Sequence, residues 1–174
     1  MVFQVKAIRP RKRIDAEGFE LAILAALREE GEIVKRMYEK TVRTWSSPKP
    51  VFKIEARIGA GGPRGGISSD SAIVNVFTTD QKYLWVDLGT QPYVIRPRNA
   101  LFLRFTVGGR PKTRPRVIGS GAGSRGSQWV TTRLVRHPGI KAREFTDEIT
   151  KRRRRPFLRN MEIAFQRAQK RYAW

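Results

Sequence analysis

The sequence contains no cysteine. A disulfide framework, thiolate ligation of zinc or iron-sulfur clusters and a cysteine nucleophile are therefore excluded, and assembly in a reducing cytoplasm fits the composition. Histidine is nearly as scarce, since His137 is the only one. A histidine metal site or a Ser-His-Asp triad would rest on that single residue, and its place before Pro138-Gly139 reads as a turn. No apolar run approaches the roughly 20 residues that span a bilayer. The basic start Met1-Val2-Phe3-Gln4-Val5-Lys6 has no signal-like apolar stretch after it. A soluble, unprocessed chain is the expectation. Acid is also in short supply: 15 Asp and Glu face 36 Lys and Arg, a formal charge of +21. With 40% hydrophobic residues over 174 positions, the chain reads as one basic globular domain spanning residues 1–174.

The positive charge is local. Residues 91–136 hold ten bases (Arg96, Arg98, Arg104, Arg110, Lys112, Arg114, Arg116, Arg125, Arg133 and Arg136) and no acid, whereas residues 51–90 balance four bases against four acids. Two short runs add to this, one at residues 9–13 inside a basic N-terminal arm (1–14) and one at Lys151-Arg152-Arg153-Arg154-Arg155. Such a distribution calls for a polyanion, held through its backbone in a salt-sensitive, sequence-independent way. Stacking of single-stranded bases has little support in the pattern. Tyr93, Phe102, Phe105 and Trp129 sit in strand-like alternations that core packing explains.

Hydrophobic periodicity sets out the elements. Asp15 can cap a helix whose apolar positions Phe19, Ile23, Leu27, Val34, Tyr38, Val42 and Trp45 recur at three- and four-residue spacing, with Gly31 weakening its middle. The Ser46-Ser47-Pro48-Lys49-Pro50 stretch stops it. Phe52, Ile54, Ala56 and Ile58 alternate with charged residues as a half-buried strand; the glycine-rich segment 59–66 is a loop, and residues 71–78 make a second strand. Residues 82–88 fit a strand covered on both faces or a helical turn before Gly89, and the pattern leaves both open. Strands follow at 101–107 and 128–135, separated by a long flexible basic loop, 108–127, with six glycines and five bases. Helix returns at 142–151 and again from Pro156, whose fixed φ suits a first helical position. This order predicts an α+β fold: a mostly antiparallel sheet with a long N-terminal helix and a C-terminal helix packed on one face.

No constellation points to catalysis. Glu29, Glu30 and Glu32 read as a solvated helix face with partners such as Arg36. The glycine-rich segment 59–66 lacks the Gly-Lys-Ser/Thr ending of a phosphate loop. Asp70, Asp80 and Asp87 are too scattered to read as a metal cluster, although folding could bring them together. The chain is not expected to be an enzyme and needs no cofactor.

Three segments carry a resemblance: Asp87-Leu88-Gly89-Thr90-Gln91-Pro92-Tyr93-Val94-Ile95-Arg96-Pro97, Ala100-Leu101-Phe102-Leu103-Arg104-Phe105, and Val135-Arg136-His137-Pro138-Gly139-Ile140-Lys141-Ala142. In this order they resemble the minor tail component family of tailed bacteriophages, whose members act as head-tail joining, tail-completion or neck proteins. The match covers roughly residues 83–165. One departure is the basic stretch 143–155, which stands as an insertion before Pro156-Phe157.

The resemblance implies a structural protein of the virion neck or tail end, assembled in the bacterial host cytoplasm. It would form a ring, a homohexamer, between a connector or stopper protein and the tail-tube protein, with genomic double-stranded DNA passing through and no membrane involved. Asp87, Gly89, Thr90, Pro92, Tyr93, Ile95, Pro97, His137, Pro138, Gly139, Lys141 and Ala142 would hold the fold. Arg110, Lys112, Arg114, Arg116, Arg125, Lys151, Arg152, Arg153, Arg154 and Arg155 would contact DNA or a neighbouring ring. The alternative is a free-standing basic nucleic-acid-binding protein, for which the charge speaks equally well.

Overall fold

The computed structural model describes residues 2–6, 15–59, 71–119, 121 and 123–172. The order is β1 (Val2–Lys6), α1 (Ala16–Val42), β2 (Lys53–Ile58), β3 (Ser71–Phe77), α2 (Gln81–Leu88), β4 (Tyr93–Ile95), β5 (Leu103–Val107), β6 (Gln128–Thr132), β7 (Val135–His137) and α3 (Phe145–Tyr172). The fold is α+β, and among the described residues every strand pairing is antiparallel. The chain gathers into two compact units. One comprises Met1–Tyr38, Phe52–Thr78 and Ile149–Trp174, and the other Glu39–Val51 and Thr79–Glu148.

The first unit contains most of α1 and α3 and a three-stranded sheet in the order β1-β3-β2. The start of α1 follows from its cap: the Asp15 side chain accepts the Gly18 amide at 3.2 Å, satisfying one of the donors that a helix start leaves free. Its apolar spacing then buries Ile23, Leu27, Val34 and Tyr38 along one stripe, each worth about 2 kcal/mol relative to exposure. The helix ends at Val42, so Trp45 falls in the turn beyond it, where its amide donates to the Val42 carbonyl. Val2, Phe3 and Val5 favour extended chain, and the stretch read as part of an arm forms β1, paired with β3 from Val2↔Asn75 to Lys6↔Ser71.

The helices pack against the sheet. On β2 and β3 the pairs Ile54↔Val76, Ala56↔Val74 and Ile58↔Ala72 share a face, and α1 meets it at Gly31. A Cβ at Gly31 would lie 2.7 Å from Ile54 Cγ2 and 3.0 Å from Val74 Cγ2. What reads in the sequence as a weak point in the helix is thus a place where helix and sheet approach too closely for a side chain.

Two expectations fail in this unit. Instead of two helical pieces divided at Pro156, α3 is one helix of 28 residues with Pro156 inside it. Phe145, Ile149, Arg153, Phe157 and Met161 form a ladder at four-residue intervals whose apolar members are all buried. The apolar phase continues across the proline, so packing on both sides outweighs the roughly 3 kcal/mol that an interior proline costs. Glu30 is also not part of a solvated face. It is 4% exposed, its Oε2 accepts from the Arg153 guanidinium and its Oε1 from Asn160 Nδ2 at 2.6 Å. Sequence spacing within α1 shows its near neighbours only, and this partner lies 123 residues away.

Two substitutions test this packing by urea unfolding. Gly31→Ala gains about 1 kcal/mol of helix propensity but loses about 2 to 3 kcal/mol to overpacking against Ile54 and Val74, so the net expectation is destabilisation. Glu30→Ala leaves Arg153 buried and unpaired and lowers stability by about 3 kcal/mol; the double variant Glu30→Leu, Arg153→Leu recovers most of that loss.

Candidate functional site

The second unit brings the motif segments together. Asp80 opens α2, its Oδ1 accepting the amides of Lys82 at 2.8 Å and Tyr83 at 3.1 Å. This cap resolves the ambiguous stretch 82–88 as helix. Within α2, Tyr83 and Asp87 lie one turn apart and are buried, while Leu84, Trp85 and Leu88 face outward, Leu88 with 74% of its surface exposed. A short helix with a solvent-facing apolar stripe is an unusual use of leucine and tryptophan.

Asp87 closes the start of α3 from 58 residues away. Its Oδ1 accepts the Phe145 amide at 2.5 Å and the Thr146 amide at 3.2 Å, and its Oδ2 accepts from the Thr146 hydroxyl. The Asp87 carbonyl accepts the amides of Arg143 at 3.1 Å and Glu144 at 3.0 Å. The Tyr83 ring sits 6.4 Å from that of Phe145. The last turn of α2 thereby holds residues 143–146 by backbone and side chain together.

The chain turns at Gly89, where φ is +81°, and a Cβ there would lie 2.7 Å from the Ile140 carbonyl oxygen. Thr90 and Ile140 then exchange backbone hydrogen bonds of 2.9 and 3.2 Å, and the Thr90 hydroxyl also accepts the Ile140 amide at 2.9 Å. β4 and β7 extend this contact through Tyr93↔His137, Val94↔Arg136 and Ile95↔Val135. His137 Nδ1 accepts the Gly139 amide at 3.0 Å, and its ring stacks on Tyr93 at 4.8 Å. Gly139 has a φ of +87°, and a Cβ there would collide with the Thr90 carbonyl oxygen. Ala142 lies against Gly89, whereas Pro92 and Lys141 are exposed and Pro97 half-buried. The acid, Gly-Thr and His-Pro-Gly pieces form one frame.

Among the bases expected to meet a partner, Arg153 and Arg116 are held by carboxylates of this chain. Arg153 is turned inward to Glu30, and Arg116 pairs with Glu144. The Glu144 hydrogen bond raises the Arg116 guanidinium above its ordinary pKa. Both Arg116 (φ +59°) and Glu144 (φ +54°) occupy left-handed backbone, a strain that the Arg116 amide bond to the Arg143 carbonyl at 2.7 Å helps to hold. Arg110, Lys112, Arg114 and Arg125 are exposed, as are Lys151, Arg152, Arg154 and Arg155 on α3. The 9–13 run, Asp70 and all but Gly59 of the 59–66 glycine segment lie outside the described residues. Among the described residues no group of three or more Asp, Glu, His or Cys is placed to hold a metal ion.

The strand foreseen at 128–135 divides in two. The Thr132 hydroxyl donates to the Leu134 carbonyl at 3.0 Å and accepts the Leu134 amide at 3.3 Å, a local turn that lets β6 pair with β5 and β7 with β4. β5 and β6 form a two-stranded ribbon from Leu103↔Thr132 to Val107↔Gln128. Beyond it, Arg110 and Ser124 exchange backbone bonds of 2.9 and 3.1 Å, and the Gly121 amide donates to the Lys112 carbonyl at 2.7 Å. These bonds carry the hairpin on past β5 and β6 as far as Lys112 and Gly121.

The aromatic residues of this region are not packed as expected. Trp129 is 61% exposed, Tyr93 46% and Phe102 45%, and only Phe105 of the four turns to the half-buried side of its sheet. A two-stranded ribbon offers two faces, and alternation in the sequence separates them without saying which is covered.

Searches of family models, curated proteins and solved structures return no match to this chain.

Asp87→Ala removes three hydrogen bonds, accepted by two oxygens, from the start of α3 and is expected to cost about 2 kcal/mol in urea unfolding, with Asp87→Ser recovering part of it. Gly139→Ala forces both a left-handed alanine and a clash with Thr90; a cost above about 3 kcal/mol, or loss of soluble protein, is expected.

Proposed function

We propose that this chain is a structural virion protein of a tailed bacteriophage, a subunit of a ring at the neck or tail end that links a connector to the tail tube and lets DNA pass. The observation that carries the reading is the convergence of the motif pieces. Asp87, Gly89-Thr90 and His137-Pro138-Gly139 are interlocked by hydrogen bonds and by two glycines that admit no side chain, as residues that define a family's frame would be.

The outward stripe of Leu84, Trp85 and Leu88 on α2 supports an assembling subunit. Three large apolar side chains on successive turns cost little if a neighbour covers them and invite aggregation if none does. The main alternative, a free-standing nucleic-acid-binding protein, is favoured by the absence of any acid from residue 91 to residue 143.

Quantitative mass spectrometry of gradient-purified particles separates the two. The ring reading expects about six copies per particle, and expects Trp85→Glu with Leu88→Glu to give folded protein that is missing from particles. Complete particles without this chain would overturn it.

A further inference from the structure

The exposed face of the β5–β6 ribbon has a composition that neither core packing nor a ring subunit requires. The register pairs Arg104 with Thr131 and Thr106 with Trp129, and strand alternation adds Phe102 and Arg133 on the same side. All six are aromatic, arginine or threonine, with no aliphatic and no acidic member.

The aromatic rings and arginines are already arranged in pairs. The Arg104 guanidinium lies 4.9 Å from the centre of the Trp129 ring, and that of Arg133 lies 5.3 Å from the centre of Phe102. A guanidinium laid on a ring keeps its in-plane N–H donors free for a phosphate or carboxylate. Arg133 stands two residues beyond the partner of Arg104, so the two arginines leave the ribbon at backbone positions about 7 Å apart along it, and each can meet a different phosphate of one extended strand.

We propose that this face is a binding platform for single-stranded nucleic acid. Bases stack on Trp129 and Phe102 while Arg104 and Arg133 hold phosphates, and the strand continues along the hairpin past Arg110, Lys112 and Arg125. Rings and arginines also serve protein interfaces, but the run of exposed bases continues past the ribbon with no acid from residue 91 to residue 143, which suits a repeating phosphate chain better than a single acidic patch. A duplex keeps its bases stacked on one another and offers no base face to an exposed indole, so phosphate attraction alone would leave the two rings without a role. Every base has a π-face and every nucleotide a phosphate, so binding by rings and arginines is sequence-tolerant and common to DNA and RNA single strands. The proposal does not depend on the ring reading.

The test is fluorescence anisotropy of the full chain with labelled oligo-dT and oligo-rU of about 20 nucleotides and a duplex of the same length, at about 150 mM salt. Expected are similar affinities for the two single strands, both at least about tenfold tighter than for the duplex. Trp129→Ala and Phe102→Ala each weaken single-strand binding about tenfold, and Trp129→Tyr, which keeps a ring, largely restores it. Oligo-dT quenches tryptophan emission, and the quench shrinks in Trp129→Ala. Both rings are exposed, and circular dichroism of each variant checks that the fold is kept. Duplex bound as tightly as single strand, with both alanine variants unchanged, would reduce the face to general phosphate attraction and overturn the proposal. Tighter binding of poly-glutamate than of oligo-dT would overturn it in favour of an acidic protein partner.

Discussion

The second unit depends on one buried carboxylate. Asp87 sits at the end of α2 with its side chain on the first amides of α3 and its carbonyl on the residues just before them. A helix start leaves donors without partners, and the usual remedy is a side chain from the preceding residue. Here that position is held by Glu144, in left-handed backbone with its side chain turned to Arg116. The capping role passes to a residue far back in the chain. The same contact fixes where the chain leaves α2, so Gly89, Thr90 and β4 are brought into register with residues 135–142 as a result.

How much of this could be read from the sequence varied with the range of the interaction. α1 and β2 were legible because their causes are local: a cap three residues from its donor, and alternation within six residues. The continuity of α3 through Pro156, the burial of Glu30 and the division of the 128–135 strand each depend on partners or packing that spacing does not display. Asp87 stood out as part of a motif, yet nothing in the motif announces a cap. The exposure of Trp129 and Phe102 was hidden for a further reason. A strand's alternation is symmetrical between its faces, and with two strands in the sheet there is no second layer in the pattern to say which face is covered.

Charge and packing divide the arginines into two kinds. Arg153 and Arg116 are fixed by carboxylates of the chain, one in a site almost closed to water and the other at the surface. Most of the other bases between residues 91 and 143 are exposed and have no acid in that stretch to balance them. Mutual repulsion among them works against compaction and weakens with salt. The backbone bonds between Arg110 and Ser124 and between Gly121 and Lys112 are what keep such a segment closed on itself.

The left-handed backbone at Arg116 and Glu144 bears on how the chain can change over time. Opposite charge is the visible feature of the pair, but the dihedral angles impose the stricter demand, since few side chains tolerate them. Glycine or asparagine meets that demand at either place without help. Substitution can therefore dispense with the ion pair as long as the geometry of the two turns is kept.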